Sequence, residues 1–462
     1  MLKNPFSLTK KIRKIKGETA FILSYLSATF LGGLLLWSPF SRGGGTSVSF
    51  INALFTATSA VCVTGLTVVD IGTRFNLTGQ LIVLLLIQTG GLGITTFSVW
   101  FFVSLGRNIG FKSRFLFQSS FSPRPLDELK GLLRLILLFT LIIEAGGALI
   151  LLAYWSRLHS FPHALYLSLF HSISAFCNAG FSLFPDNLIG HQGSVAVCLT
   201  VAFLIIFGGI GFPVVYEVHQ WVIQRRQGTR FRITLHTRLV LITTAILIMG
   251  GTALLYGIEY NDALDGFPRS TGLLISFFQS VTARTAGFNT IEMTALTNAS
   301  LLVLIILMFI GASPGSCGGG IRTTTFALLS GLLWNRLKGK NRVHLFHRTV
   351  PEEVVTRAIF VVLLTGGLIL LLTTLILLVE YANAPFPKAK GGLMEILFEV
   401  VSAFGTVGLS LGVTPKLEPA SKLLLIAAMF LGRVGILSIG YSIAKKEERY
   451  PITYGEEGVM TG

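Results

Sequence analysis

Eight apolar runs punctuate the 462-residue chain, near positions 21–38, 80–104, 131–154, 195–223, 237–258, 300–334, 354–380 and 421–444. Each approaches or exceeds the roughly 20 residues that a helix needs to cross the hydrocarbon core of a bilayer. Backbone buried in lipid must satisfy its N–H and C=O groups internally, so such runs fold as helices, and the expected class is an all-α integral membrane protein. Composition agrees, because 52% hydrophobic against 13% charged residues leaves too little polar surface to cover a soluble domain of this length. Between the runs lie shorter, less apolar segments near 51–62, 164–176, 271–283 and 391–404, each leading to a glycine. They are too short to span and read as re-entrant half-helices.

The net charge of +16 would suggest nucleic acid in a soluble protein, but the positions of the positive residues explain it better. Of the 37 lysines and arginines, 27 fall in the N-terminal arm, near 107–134, 225–238 and 322–357, and after 444; eight fall in the alternate loops. That asymmetry places both ends in the cytoplasm, with a basic face toward anionic headgroups, membrane lipid as a partner and no nucleic acid. The basic arm is followed by no small-residue cleavage pattern, so the first run reads as a retained anchor and the protein as multi-pass in the cell's inner (plasma) membrane. Cys62, Cys177, Cys198 and Cys317 lie in or beside apolar segments without metal-binding spacing and read as buried thiols.

The half-helices repeat one pattern: Phe55 to Gly65, Phe170 to Gly180, Phe277 to Gly287 and Phe398 to Gly408, always with the Phe ten positions before the glycine. The third copy aligns its Ser and Ala better with a one-residue gap. A second echo follows in the next run, at Gly90-Gly91, Gly208-Gly209, Gly311-Ala312 and Gly432-Arg433. Each unit crosses the membrane twice, so the four run in the same sense. The expected architecture is four parallel helix–pore-loop–helix repeats in pseudo-fourfold arrangement around one pore, with eight transmembrane helices. The divisions are a basic cytoplasmic arm 1–20, repeats at 21–105, 106–225, 226–345 and 346–445, and a cytoplasmic tail 446–462. Inverted repeats of the common transporter kind fit poorly.

A cation gives up its hydration shell only where oxygen ligands replace the water, and channel filters use backbone carbonyls for this. Aiming successive carbonyls at one axis forces left-handed backbone angles, which glycine adopts freely. Thr64-Gly65, Ala179-Gly180, Ala286-Gly287 and Val407-Gly408 are therefore the candidate selectivity filter, with the ion held at Gly65, Gly180, Gly287 and Gly408. Half-helix C-termini aimed at the cavity would favour a cation. The alternative is that these are ordinary helix-packing or turn glycines.

The four loops, the downstream glycine pairs and the segment from Gly311 to Thr325 resemble the Trk/Ktr/HKT superfamily of cation translocators over nearly the whole chain. Within it, the eight runs and the loop Thr282-Ala-Arg-Thr-Ala-Gly-Phe288 are most similar to the ion-conducting subunits of bacterial Ktr uptake systems. The resemblance implies potassium as the transported ion, sodium as an activating or coupling ion, a homodimer, and a cytosolic ring of nucleotide-binding regulatory subunits. Relatives that favour sodium often carry serine at the first filter glycine, and Gly65 keeps the potassium form. A sodium-permeable or weakly selective member is the alternative function.

The segment Gly311, Ala312, Ser313, Pro314, Gly315, Ser316, Cys317, Gly318, Gly319 and Gly320 interrupts an apolar run with breakers and should line or abut a cavity. By resemblance it is a gate beneath the filter; members of the family usually have Thr at Cys317 and often Lys at Arg322. No Gly-Lys-Ser/Thr ending makes it a phosphate loop. Arg433 stands at the register of Gly91 and Gly209. Placing it at membrane depth costs about 2.5–3.5 kcal/mol, so it should face a cavity or a partner. It is expected as an electrostatic barrier or as a latch to the gate segment; the alternative is an arginine that ties helices through backbone carbonyls. Arg284 is expected to brace the third half-helix against Glu399 or Glu395, with ion selection as the alternative. Glu144 and His171 should be satisfied by polar neighbours. Nothing resembles a catalytic triad or a metal cluster, so no enzyme is expected.

Overall fold

The computed structural model describes residues 17–43, 47–93, 126–229, 232–381 and 392–435, and these are helical apart from loops and one two-residue hairpin, His344–Leu345 with Arg348–Thr349. One order of elements occurs four times: a long helix, a short buried helix, a loop, and an apolar helix. The first set is α1 (Gly17–Trp37), α2 (Phe50–Val61) and α3 (Leu77–Leu92), and the second is α4 (Leu126–Trp155), α5 (Phe161–Phe176) and α6 (Val195–Ile210), which continues into α7 (Phe212–Arg226). The third is α8 (Leu235–Glu259), α9 (Arg269–Thr282) and α10 (Asn298–Ile310), continued by α11 (Thr323–Leu337). The fourth is α12 (Glu352–Tyr381), α13 (Gly392–Gly405) and α14 (Pro419–Val434).

Helix starts follow local chemistry. The side chains of Ser49, Asn76, Ser194 and Thr297 each accept a backbone N–H from the first turn of α2, α3, α6 and α10. The long helices turn large aliphatic side chains outward, with Ile142 and Leu363 67% and 70% exposed, while hydroxyls such as Thr58, Ser59, Ser174, Ser280 and Ser402 are buried. Apolar side chains face outward, and the hydroxyls are kept inside the bundle beside an apolar core, as a lipid surround requires. Among the described residues three helical segments are long and apolar enough to cross a membrane, Leu133–Trp155, Leu235–Glu259 and Glu352–Tyr381; α6 and α7 together make a fourth if counted as one span.

The short helices match the expected half-helices to within three residues at each end. Two long runs differ from expectation. The run at 195–223 is not one helix: α6 and α7 meet at 92°, because Gly211 takes φ 98° and Pro213 has no N–H to continue the ladder. The run at 300–334 breaks as expected, but over 311–322, two residues more than the breaker-rich segment. α3 and α14 end at Leu92 and Val434. The parts of the expected crossings at 94–104 and 436–444, most of the arm at 1–20 and the tail at 446–462 lie outside the described residues.

Candidate functional site

Each buried short helix ends in a loop with the same backbone signature. The glycines Gly65, Gly180, Gly287 and Gly408 have φ between 69° and 96°. Two positions earlier, Val63, Asn178, Thr285 and Thr406 are also left-handed, with φ from 49° to 75°, although none is glycine. A non-glycine residue pays a steric cost in this region, and it recurs at four equivalent places only where the surroundings enforce it. Left-handed residues thus stand at the glycine and two positions before it in every loop.

The four loops meet in a closed cycle. A Cβ placed on Gly65 would lie 2.5 Å from Ala179 O, and one on Gly180 would lie 2.7 Å from Ala286 O. The same substitution on Gly287 would strike Val407 O, and on Gly408 it would strike Thr64 O. All eight expected filter residues are thus brought together, and the glycines are the points of contact between neighbouring loops. A cavity of about 730 Å³ opens onto the four glycines, with Asp70, Asp186 and Glu292 against a single Arg74 among its charged lining residues.

Hydroxyls brace the loops from behind. Ser59 Oγ and Ser402 Oγ accept the N–H of Gly65 and Gly408, each at 3.0 Å. Ser174 Oγ donates to Phe181 O at 2.8 Å and Thr282 Oγ1 to Phe288 O at 2.7 Å. Sequence reasoning did not single out these residues, yet the signal was present: Ser59, Ser174 and Ser402 stand six positions before their glycine and Thr282 stands five before, which accounts for the one-residue gap of the third copy.

The segment 311–320 sits against the other side of the same loops. A Cβ on Gly318 would strike Thr285 Oγ1, and one on Gly319 would lie 2.5 Å from Thr406 Oγ1. The breaker residues therefore let the segment approach within contact of two of the four glycine loops. Ile321 and Arg322 donate backbone N–H groups to Phe309 O and Ile310 O, at 3.2 and 3.0 Å, which ties the segment to the end of α10. Arg322 has φ 80° and ψ 140°. That is the conformation taken by glycine at Gly93, Gly211 and Gly435, the ends of α3, α6 and α14. The third set thus places an arginine where the other three use glycine, and its side chain donates to Ser313 O at 3.4 Å and to Gly318 O.

Arg433 is buried and donates to two carbonyls, Cys317 O in this segment and Gly90 O in α3. Its register with Gly91 and Gly209 holds, since each lies two residues before its break glycine. Arg284 departs from expectation. Its Nη2 reaches Thr244 Oγ1 of α8 at 3.3 Å, while the Glu399 carboxylate accepts from Ser410 Oγ, Leu411 N–H and Thr414 Oγ1 of its own loop at 2.6 to 3.1 Å. Those donors sit nearer in chain and reach both carboxylate oxygens. Glu144 accepts from Gln88 Nε2 at 3.2 Å, and His171 pairs with Leu167 O and Ser182 Oγ. All four cysteines are buried free thiols.

The sequence model of the TrkH family, described as cation transport protein, matches residues 21–450. The chain is 37% identical to Ktr system potassium uptake protein B of Vibrio alginolyticus, over 96% of this chain and 95% of that one. It is 38% identical to the protein of the same name from Bacillus subtilis, over 95% of each. It is also 36% identical to potassium/sodium uptake protein NtpJ of Enterococcus hirae, over 98% of this chain and 99% of the relative. The crystal structure of the potassium transporter TrkH from Vibrio parahaemolyticus superimposes with a TM-score of 0.70 at 18% identity, covering 94% of this chain and 87% of that one.

Proposed function

Because the chain belongs to the TrkH family of cation transport proteins, and is a transporter and not an enzyme, we propose that it carries out potassium uptake through a gated, glycine-lined selectivity filter. The observation that carries this reading is the closed cycle of Gly65, Gly180, Gly287 and Gly408, each touching the next. Four units of the same sense, at 21–105, 106–225, 226–345 and 346–445, surround one pore in pseudo-fourfold fashion with eight crossings and both termini cytoplasmic. Carbonyls of Thr64, Ala179, Ala286, Val407 and the four glycines replace the ion's water. The buried hydroxyls of Thr64 and Thr406 find no protein partner and are available to an ion or water. The acidic cavity gathers cations at the outer mouth.

The segment 311–320 is the gate, supported by its contact with two filter loops, and Arg433 latches it. Ion movement follows the electrochemical gradients. The relative named potassium/sodium uptake protein supports sodium as an activating or coupling ion. Relatives named as part of a Ktr system support a partner subunit, which we assign to a cytosolic nucleotide-binding ring docked on a homodimer. Expression in bacteria that lack potassium uptake should restore growth on low potassium, more strongly with sodium present. Growth restored by no potassium concentration that rescues a known uptake system would refute the potassium assignment.

A further inference from the structure

The gate segment is held on its second side by a break in another helix. In a continuous helix the carbonyls of Gly208 and Gly209 would accept from residues 212 and 213. Pro213 has no N–H, and Phe212 N–H turns away to Gly315 O at 3.0 Å. The two freed carbonyls are taken by the gate segment: Cys317 N–H donates to Gly208 O and Ser313 N–H to Gly209 O, both at 3.1 Å. Gly211 fits the same seam, since a Cβ there would lie 2.5 Å from Pro314 O. Three backbone hydrogen bonds thus dock the segment onto the α6–α7 break, and one of them originates on the first residue of α7.

The direction of α7 is fixed at a second point. Glu217, buried in the first half of α7, accepts from Thr234 N–H at 2.6 Å, Thr234 Oγ1 at 2.7 Å and Thr237 Oγ1, all at the start of α8. From Phe212 to Glu217 is about 7.5 Å along the helix. A swing of α7 by about 10° about Glu217 would carry Phe212 about 1.3 Å, enough to part a 3.0 Å hydrogen bond. We propose that Glu217 is a positioning residue for the gate: its carboxylate holds α7 at the angle that keeps the gate segment docked under the filter. The functional consequence rests on reading 311–320 as the gate. Glu217 touches neither the filter nor the ion and acts through α7.

The test uses the full-length chain in proteoliposomes, comparing wild type, Glu217→Gln and the partner-side double variant Thr234→Val/Thr237→Val. Alkylation of the buried Cys317 by N-ethylmaleimide, followed site by site by peptide mass spectrometry, reports undocking of the segment; rubidium flux reports conduction, and melting temperature reports stability. Both variants are expected to alkylate Cys317 about tenfold faster, the shift produced by losing about 1.4 kcal/mol of docking preference, and to pass more rubidium. A lower melting temperature with Cys317 alkylation unchanged would overturn the proposal and leave Glu217 as a helix cap alone. Faster alkylation with unchanged rubidium flux would support the positioning role and refute the gate reading on which its consequence rests.

Discussion

Arg433→Ala separates a latch from a mere tie between helices. The guanidinium donates to Cys317 O on the segment 311–320, the proposed gate, and to Gly90 O on α3. Hydrogen bonds from a charged donor are each worth about 1.5–3 kcal/mol. Gly90 O retains Gly93 N–H at 3.2 Å after the substitution, so the α3 side keeps a partner. The Cys317 bond is the one whose loss bears on the proposed gate, and its removal is expected to shift an open-to-closed ratio by about 10- to 150-fold. Removing the charge also lowers the electrostatic cost for a cation passing beneath the filter. Rubidium uptake measured at several concentrations should therefore rise at least tenfold in Arg433→Ala. Arg433→Lys keeps the charge but not the fork that reaches two carbonyls, and should rise less. Unchanged rate and affinity in Arg433→Ala would refute both latch and barrier.

Gly208→Ala and Gly250→Ala make the same chemical change on different helices. The first would drive a Cβ into Phe176 O at the end of α5 and should abolish flux or folded yield; the second meets nothing within 4 Å and should be neutral, or gain up to about 1 kcal/mol in helix propensity. Equal effects on flux and detergent-resistant yield would contradict the close-approach argument. His191 lies in the loop between α5 and α6, where its Nε2 accepts Trp155 Nε1–H at 3.3 Å. Burial holds its pKa below the ordinary 6.5, partly opposed by the Asp186 carboxylate. A depressed folded-state pKa means that its contribution to stability is present in full above about pH 6.5 and is lost as pH falls through the folded value. Melting temperature should drop on acidification below that range, with a smaller slope in His191→Phe; identical slopes would refute the assignment.

Much of this was legible in the amino-acid order. Apolar runs and half-helices are set by lipid, which permits little but helix, and the four half-helices end within three residues of expectation. The four glycines were legible because repetition separates a required left-handed residue from a chance one. The α6–α7 break was missed although Gly211 and Pro213 announce it, because an apolar run looks continuous whatever its backbone does. Arg433 was placed by register, but its partners lie 116 and 343 residues away and no local pattern reveals them. The brace from Arg284 to Glu399 failed because opposite charge alone does not specify contact; nearby hydroxyls and a backbone N–H answer the carboxylate first. Arg322 in a glycine conformation was invisible, since its backbone angles come from the packing of the segment 311–322 against the end of α10.

The central claim is one filter built from four loops, and rubidium and sodium flux in proteoliposomes tests it most directly. Wild type should be compared with Gly→Ser changes made singly at residues 65, 180, 287 and 408. The account predicts that wild type prefers rubidium and that each substitution erodes the preference, because every added Cβ intrudes on the next loop in the cycle. Equal passage of sodium and rubidium in all five proteins would contradict it.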